Sequence, residues 1–184
     1  IEHRSPSVAA KAYTRLRQVL TRAVDDEKIT KNPCRIDRGG VEHHPEQRFA
    51  TMAELYELAA AVPGRYRALV LAAGLSGLRE GELFALRWSD IDMEGAAIAV
   101  RRKRLRLASG EVIEDDPKSR AGRRTVAIPA VLVAELEQHR AAFAGEAEAD
   151  TYVFTSPTGE ALERSNFRYR VWVPAARAVG LEGL

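Results

Sequence analysis

Between residues 8 and 26, VAAKAYTRLRQVLTRAVDD, apolar side chains recur at Ala12, Tyr13, Leu16, Val19, Leu20 and Ala23. Spacings of three and four put them on one stripe of an amphipathic helix. The next stretch, EKITKNPCRIDRGGVEHHPEQRF, loses that periodicity and carries Pro33, Gly39, Gly40 and Pro45, so residues 28–48 read as a linker. A lone helix ahead of a linker cannot bury its own stripe, so residues 1–27 are expected to be the last helix of a separate domain or a packing arm. Thr51 and Glu54 form a T-x-x-E capping box opening a helix to Val62, with Met52, Leu55, Leu58, Ala59 and Val62 inward. Pro63-Gly64 ends it. Tyr66 to Leu75 is apolar on all sides, as a central buried helix would be. Gly77 turns the chain, and Arg79 to Leu86 makes a short helix with Leu83 and Phe84 inward.

From Gly95 the pattern shortens. AAIAVRRKRLRL, EVIEDDPK and RRTVAIP are β-type runs separated by turns holding Gly110 and Gly122, and they predict a three-stranded antiparallel meander. Pro129 opens a helix with Leu132, Val133, Leu136 and Phe143 inward, leaving His139-Arg140 on its solvated side. A loop over 144–150, an extended TYVF and the turn SPTGE follow. Ser165 is expected to cap a last helix interrupted at Pro174 and stopped at Gly180. The fold class is therefore α+β, mainly helical, with helices around a small three-stranded antiparallel sheet over residues 49–184.

Composition excludes several classes. Hydrophobic residues make up 46% of the 184, which suits a globular core. No apolar run approaches the ~20 residues of a membrane span, and IEHRSPSVAAKAYTR lacks a signal-peptide pattern. The single cysteine, Cys34, excludes an internal disulfide framework and a cysteine-cluster metal site, so a reduced, cytoplasmic setting is expected. Net charge is only +2, but residues 101–124 hold nine Lys/Arg against four Asp/Glu. A local basic stripe on a near-neutral chain suits contact with an anion such as nucleic acid, and from charge alone a solvated strand face serves equally well.

GLSGLREGELFALRWSDID, followed by a basic hairpin and PKSRAGRRTVAIP, resembles the catalytic domain of the tyrosine recombinases, the phage-integrase family. The ordered pair of G-L-R-x-x-E-L and a hairpin lysine is more specific than either part. Residues 8–44 are similar to the end of the family's core DNA-binding domain and its linker, and residues 48–184 to the first two-thirds of its catalytic domain. The resemblance implies attack of a tyrosine hydroxyl on a DNA phosphodiester, giving a 3′-phosphotyrosyl link and a free 5′-hydroxyl, with neither metal nor other cofactor. Fixed cations must then meet the charge on the phosphate, and arginine suits this through its two parallel N–H donors. By resemblance Arg79 is a catalytic arginine and Glu82, one helical turn on, is the acid that supports it. On spacing alone the two would make an ordinary ion pair. Glu80, one residue away, points elsewhere.

Lys118 matches the family's β-turn lysine, which protonates the departing 5′-oxygen. Nearby Arg120, Arg123 and Arg124 would lower its pKa and touch DNA phosphates. Alternation places Arg102, Arg104 and Arg106 on one strand face as a phosphate track, with Leu105 and Leu107 turned inward. None of His3, His43, His44 and His139 stands in the family's His-x-x-Arg spacing, and His43-His44 lacks a third ligand, so no metal site is expected. Tyr13, Tyr56, Tyr66, Tyr152 and Tyr169 all fit core or half-buried positions, not the nucleophile's. VGLEGL falls where the family begins the segment bearing His-x-x-Arg and the tyrosine. The expectation is a fragment of a larger recombinase that acts as a homotetramer on double-stranded DNA at the nucleoid, the fragment binding DNA weakly and not cleaving it. A non-catalytic DNA-binding protein occupying recombination sites, or a basic domain without a DNA role, are the alternatives.

Overall fold

The computed structural model describes residues 6–41, 48–106, 109–115, 123–145 and 148–183, and falls into two units divided after Arg48. The first unit is built on helix α1, Pro6–Asp25. The expected linker does not simply hang from it, because residues 32–41 fold back along the helix. The Asn32 side-chain amide donates to Arg17 O and Thr21 Oγ1, and Ile36 N–H donates to Tyr13 Oη at 2.7 Å. Within this unit Leu16 and Val19 stay exposed, so the apolar stripe of α1 is largely uncovered by its own strap.

In the second unit, α2 (Met52–Ala61) begins at the capping box predicted for it. Thr51 Oγ1 accepts from Glu54 N, and the Glu54 carboxylate accepts from Thr51 N. Leu55, Leu58, Ala59 and Val62 are buried, whereas Met52, in the first turn, is exposed. Helix α3 (Gly64–Ser76) is the centre of the core, with Leu69, Val70, Leu71 and Ala72 all buried. Helix α5 (Ala130–Phe143) packs on it through Leu132 and Leu136, and Arg67 clamps Glu135 across that contact. Phe143, expected inward, is more than a third exposed beneath the Arg65 guanidinium.

His139 is a correction. It is buried, its Nε2 donates to Val153 O at 2.8 Å, and Trp88, Phe143 and Phe154 surround the ring. Position 139 continues the Leu132–Leu136 stripe, and the charge on Arg140 disguised it. Arg140 itself stays outside, over the Trp88 ring.

The sheet also differs from a meander. Strands β1 (Ile91–Asp92), β2 (Ala97–Val100) and β5 (Arg124–Ala127) form the three-stranded antiparallel sheet in the order β1-β2-β5, with Ile98 opposite Val126 and Val100 opposite Arg124. Strands β3 (Lys103–Arg106) and β4 (Val112–Asp115) form a separate hairpin. The long run AAIAVRRKRLRL breaks after Val100 because Arg101 and Arg102 both turn to the buried Asp90. Leu105, expected inward, is exposed on the hairpin, and Leu107 lies outside the described residues.

The last helix is continuous but irregular: α6 (Arg164–Phe167), a π turn (Arg168–Trp172) and α7 (Val173–Ala178). Pro174 has no N–H, and a wider turn just before it absorbs the break in the hydrogen-bond ladder. Its N-cap is Glu163, whose carboxylate accepts from Asn166 N, in place of the expected Ser165. Phe167 sets edge-on against Tyr66 and Phe84 and ties this helix to the core. Tyr169, expected half-buried, is 68% exposed. Among the described residues no helix is long and apolar enough to cross a membrane.

Candidate phosphate-binding site

The site begins at the end of α3. Gly77 adopts φ +65°, a left-handed conformation that strains side-chain-bearing residues, and so reverses the chain. Ser76 Oγ donates to Ala72 O and accepts from Leu78 N, closing the turn. Arg79 is then the extended residue preceding α4 (Glu80–Leu83), which Leu83 and Phe84 anchor in the core. Glu82, one turn on, reaches back and accepts the Arg79 backbone N–H at 2.9 Å. Its other oxygen accepts from Arg79 Nη1 at 3.0 Å. The carboxylate is 7% exposed and the Arg79 side chain 79% exposed. One guanidinium edge is thereby held while most of its surface faces outward. Glu80 turns away and pairs with Arg164 at 2.8 Å.

A second arginine enters from the sheet. Arg124, at the start of β5, places Nη1 and Nη2 on the two Glu82 oxygens at 3.1 and 2.9 Å. Burial alone would raise the Glu82 pKa. The Arg124 hydrogen bonds, with those from the Arg79 backbone and side chain, outweigh it and bring the value down to about 2. Glu82 in turn holds the Arg124 pKa above its usual value, against the opposing effect of burial. Gly81 lets α4 lie directly on β3, since a Cβ there would sit 2.7 Å from the Arg104 carbonyl oxygen.

The same local device recurs eight residues on, as LREGEL is followed by LRWSDI. Asp90, 1% exposed, accepts the Arg87 backbone N–H at 3.0 Å and a sheet-side arginine, Arg102, at 2.6 Å, with Arg101 at 3.6 Å. Here the N-cap side chain leaves its own acid, and Arg87 pairs with Asp150 and Glu114. Tyr152 donates its hydroxyl to Glu114, and its ring lies against Arg87 and Arg104, each about 5.3 Å from the centroid.

The arginines expected to form one track are thus dispersed onto protein partners. Arg102 bonds Asp90, Arg104 lies on Tyr152, and Arg106 bonds Glu163 at 2.6 Å. Arg101, Arg102, Arg123 and Arg124 nonetheless line one open concavity of about 660 Å³ at the ends of β2 and β5. Lys118 and Arg120 lie outside the described residues. The residues brought together are therefore Arg79, Glu82 and Arg124, with Arg102 on the neighbouring acid. Sequence reading missed Asp90 and the Arg124–Glu82 pair. The repeated L-R-x-x-acid spacing was a usable signal for the first, and nothing in the linear sequence marked the second.

No protein-family model matches the chain. It is 38% identical over 136 residues to the prophage phiRv2 integrase of Mycobacterium tuberculosis, covering 73% of this chain and 36% of that protein. It is 31% identical over 177 residues to a tyrosine recombinase XerC-like protein of Caldanaerobacter subterraneus subsp. tengcongensis, covering 82% of this chain and 45% of that one. The integrase of Mycobacterium phage D29 is 29% identical over 164 residues, covering 88% and 44%. The chain therefore spans less than half the length of these relatives. In fold it is similar to the Tn1549 transposon integrase in complex with circular intermediate DNA, with TM-score 0.70, 18% identity, and 98% of this chain and 67% of that one covered. A lambda integrase dimer bound to a COC′ core site gives TM-score 0.57 at 21% identity, covering 92% and 45%.

Proposed function

We propose that this chain, which resembles the tyrosine recombinases and phage integrases in sequence and has the fold of their catalytic domain, is part of a longer site-specific DNA recombinase and supplies the cations that meet the scissile phosphate. The observation that carries the reading is Arg79, exposed but held by a buried carboxylate. A guanidinium so held presents its remaining donors to a phosphate without a large entropic cost on binding. Preorganised donors of this kind are typically worth about 3–4 kcal/mol in a transition state. In the reaction a tyrosine hydroxyl gives up its proton to solvent as its oxygen forms a bond to phosphorus, the bond from phosphorus to the 5′-oxygen breaks, and that oxygen takes a proton. Lys118, by its place in PKSRAGRR, is the residue proposed to donate the proton. Arg79 balances the charge of the pentacoordinate phosphate. The nucleophile is proposed to come from a segment beyond these 184 residues, and the whole protein to act on duplex DNA as a tetramer.

Arg101 and Arg123, beside Arg102 in the concavity, are proposed to follow the neighbouring backbone phosphates, with Arg104, Arg106 and Arg120 as further contacts. The test is fluorescence anisotropy of this chain on a labelled duplex across a salt series. Wild type is expected to bind weakly with a steep salt dependence. Arg79→Ala should lower affinity on every sequence and reduce the log–log slope by about one. An unchanged slope would remove the phosphate contact from the account.

A further inference from the structure

Building on the phosphate-binding reading of Arg79, we propose that Arg124 is a positioning residue, which fixes the Arg79 guanidinium through Glu82 and does not itself contact DNA. Both terminal nitrogens of Arg124 face the two oxygens of one carboxylate, so the geometry that would grip a phosphate is already occupied. The backbone of Arg124 is held in turn by its pairing with Val100 in the sheet. Arg79, by contrast, is an exposed side chain beside a four-residue helix and has no such anchorage of its own. Glu82 joins the two. Its orientation is set by the rigid sheet through Arg124, and it passes that orientation to the Arg79 guanidinium through a single hydrogen bond, beside the one it accepts from the Arg79 backbone N–H.

The Arg87–Asp90 turn, which repeats the spacing of Arg79 and Glu82, shows that the link is particular to this site. Asp90 also binds an arginine from the sheet side, yet its N-cap residue Arg87 turns to Asp150 and Glu114. A buried acid filled from the sheet therefore does not by itself recruit the preceding arginine. At Glu82 it holds both. Without Arg124 the carboxylate would keep its burial but lose the two donors that orient it from the sheet, and its hold on the Arg79 guanidinium would loosen. Among the described residues, the charged groups facing Glu82 are Arg79 and Arg124, Glu80 being turned to Arg164.

The test follows the Glu82 carboxyl and the Arg79 guanidinium by NMR in this 184-residue chain. In wild type, Glu82 should titrate at about 2, and the Arg79 signals should lose their order at the same midpoint. In Arg124→Gln, Glu82 should titrate higher than in wild type, and Arg79 should lose order at neutral pH because the still ionised carboxylate is no longer oriented from the sheet. Arg124→Lys, a single-point donor, should restore part of both effects and serves if the glutamine variant does not fold. In duplex binding, Arg124→Gln should weaken affinity without changing the salt slope, and the Glu82→Gln, Arg124→Gln double variant should lose no more than Glu82→Gln alone. An unmoved Glu82 titration, an Arg79 that stays ordered, or an additive loss with a slope lower by about one would each overturn the proposal. If Arg79→Ala leaves DNA binding unchanged while the NMR results hold, the phosphate reading fails and the positioning of Arg79 by Arg124 stands.

Discussion

Replacing Glu82 by glutamine removes a charge from the centre of the site with little change in shape. One acceptor oxygen becomes an amide donor facing a guanidinium nitrogen. The magnitude follows from the carboxylate itself. Moving a carboxyl group from its ordinary 4.5 to about 2 corresponds to about 3 kcal/mol of preferential stabilisation of the ionised form. Glu82 is almost wholly buried, so solvent screening takes little from that figure. Glu82→Gln should therefore lose about 3 kcal/mol at neutral pH, or about 6–12 °C in melting temperature for a chain of this size. Because the folded pKa lies below the unfolded one, the contribution is fully present above the unfolded pKa and disappears as pH falls through the folded value. The gap between wild type and variant should be constant above about pH 5 and close to zero near pH 2. Thermal unfolding followed by circular dichroism at several pH values measures both. A loss under about 2 °C at neutral pH, or a variant that loses stability on acidification as steeply as wild type, would refute the claim that Glu82 is held ionised by the two arginines.

Three further outcomes follow from other parts of the fold. Arg102→Gln leaves Asp90 buried with only the more distant Arg101 opposite it, and should cost about 3 kcal/mol in urea unfolding. Gly81→Ala puts a methyl group 2.7 Å from the Arg104 carbonyl oxygen, so α4 must shift from β3. The expected cost is about 1–3 kcal/mol, with weaker DNA binding than in a Gly64→Ala control, where the added Cβ meets nothing nearer than 3.9 Å. His139 has its pKa lowered by burial, so the unfolded chain takes up the proton first as pH falls below about 6.5. Wild type should lose stability as pH falls below the unfolded value of about 6.5, and His139→Phe should remove that part of the pH dependence.

How far the sequence alone reached follows the range of each interaction. Helices α2 and α3 were legible because a capping box and an all-apolar run are local patterns. So was the pairing of Arg79 with Glu82, one helical turn apart. The Arg124–Glu82 bond joins residues 42 apart in sequence, and no periodicity encodes which strand end meets which helix. The break after Val100 was missed for a related reason. Alternation predicts a strand, but a buried acid elsewhere in the chain decides where that strand stops. His139 was misread because the charge next to it outweighed the three- and four-residue spacing that placed it with Leu132 and Leu136. The dispersal of Arg102, Arg104 and Arg106 has the same origin, since their partners Asp90, Tyr152 and Glu163 come from three separate segments.

The central claim is that Arg79 serves a reaction in which DNA becomes joined to a tyrosine. It is tested most directly by expressing the parent reading frame, including whatever follows residue 184, and incubating it with a nicked suicide duplex. Denaturing gel electrophoresis then separates any covalent protein–DNA species. The account predicts a covalent 3′-phosphotyrosyl adduct with wild type and its near-disappearance with Arg79→Ala, while this 184-residue chain alone forms none. An adduct that forms equally well in Arg79→Ala, or one formed by the 184 residues alone, would contradict it.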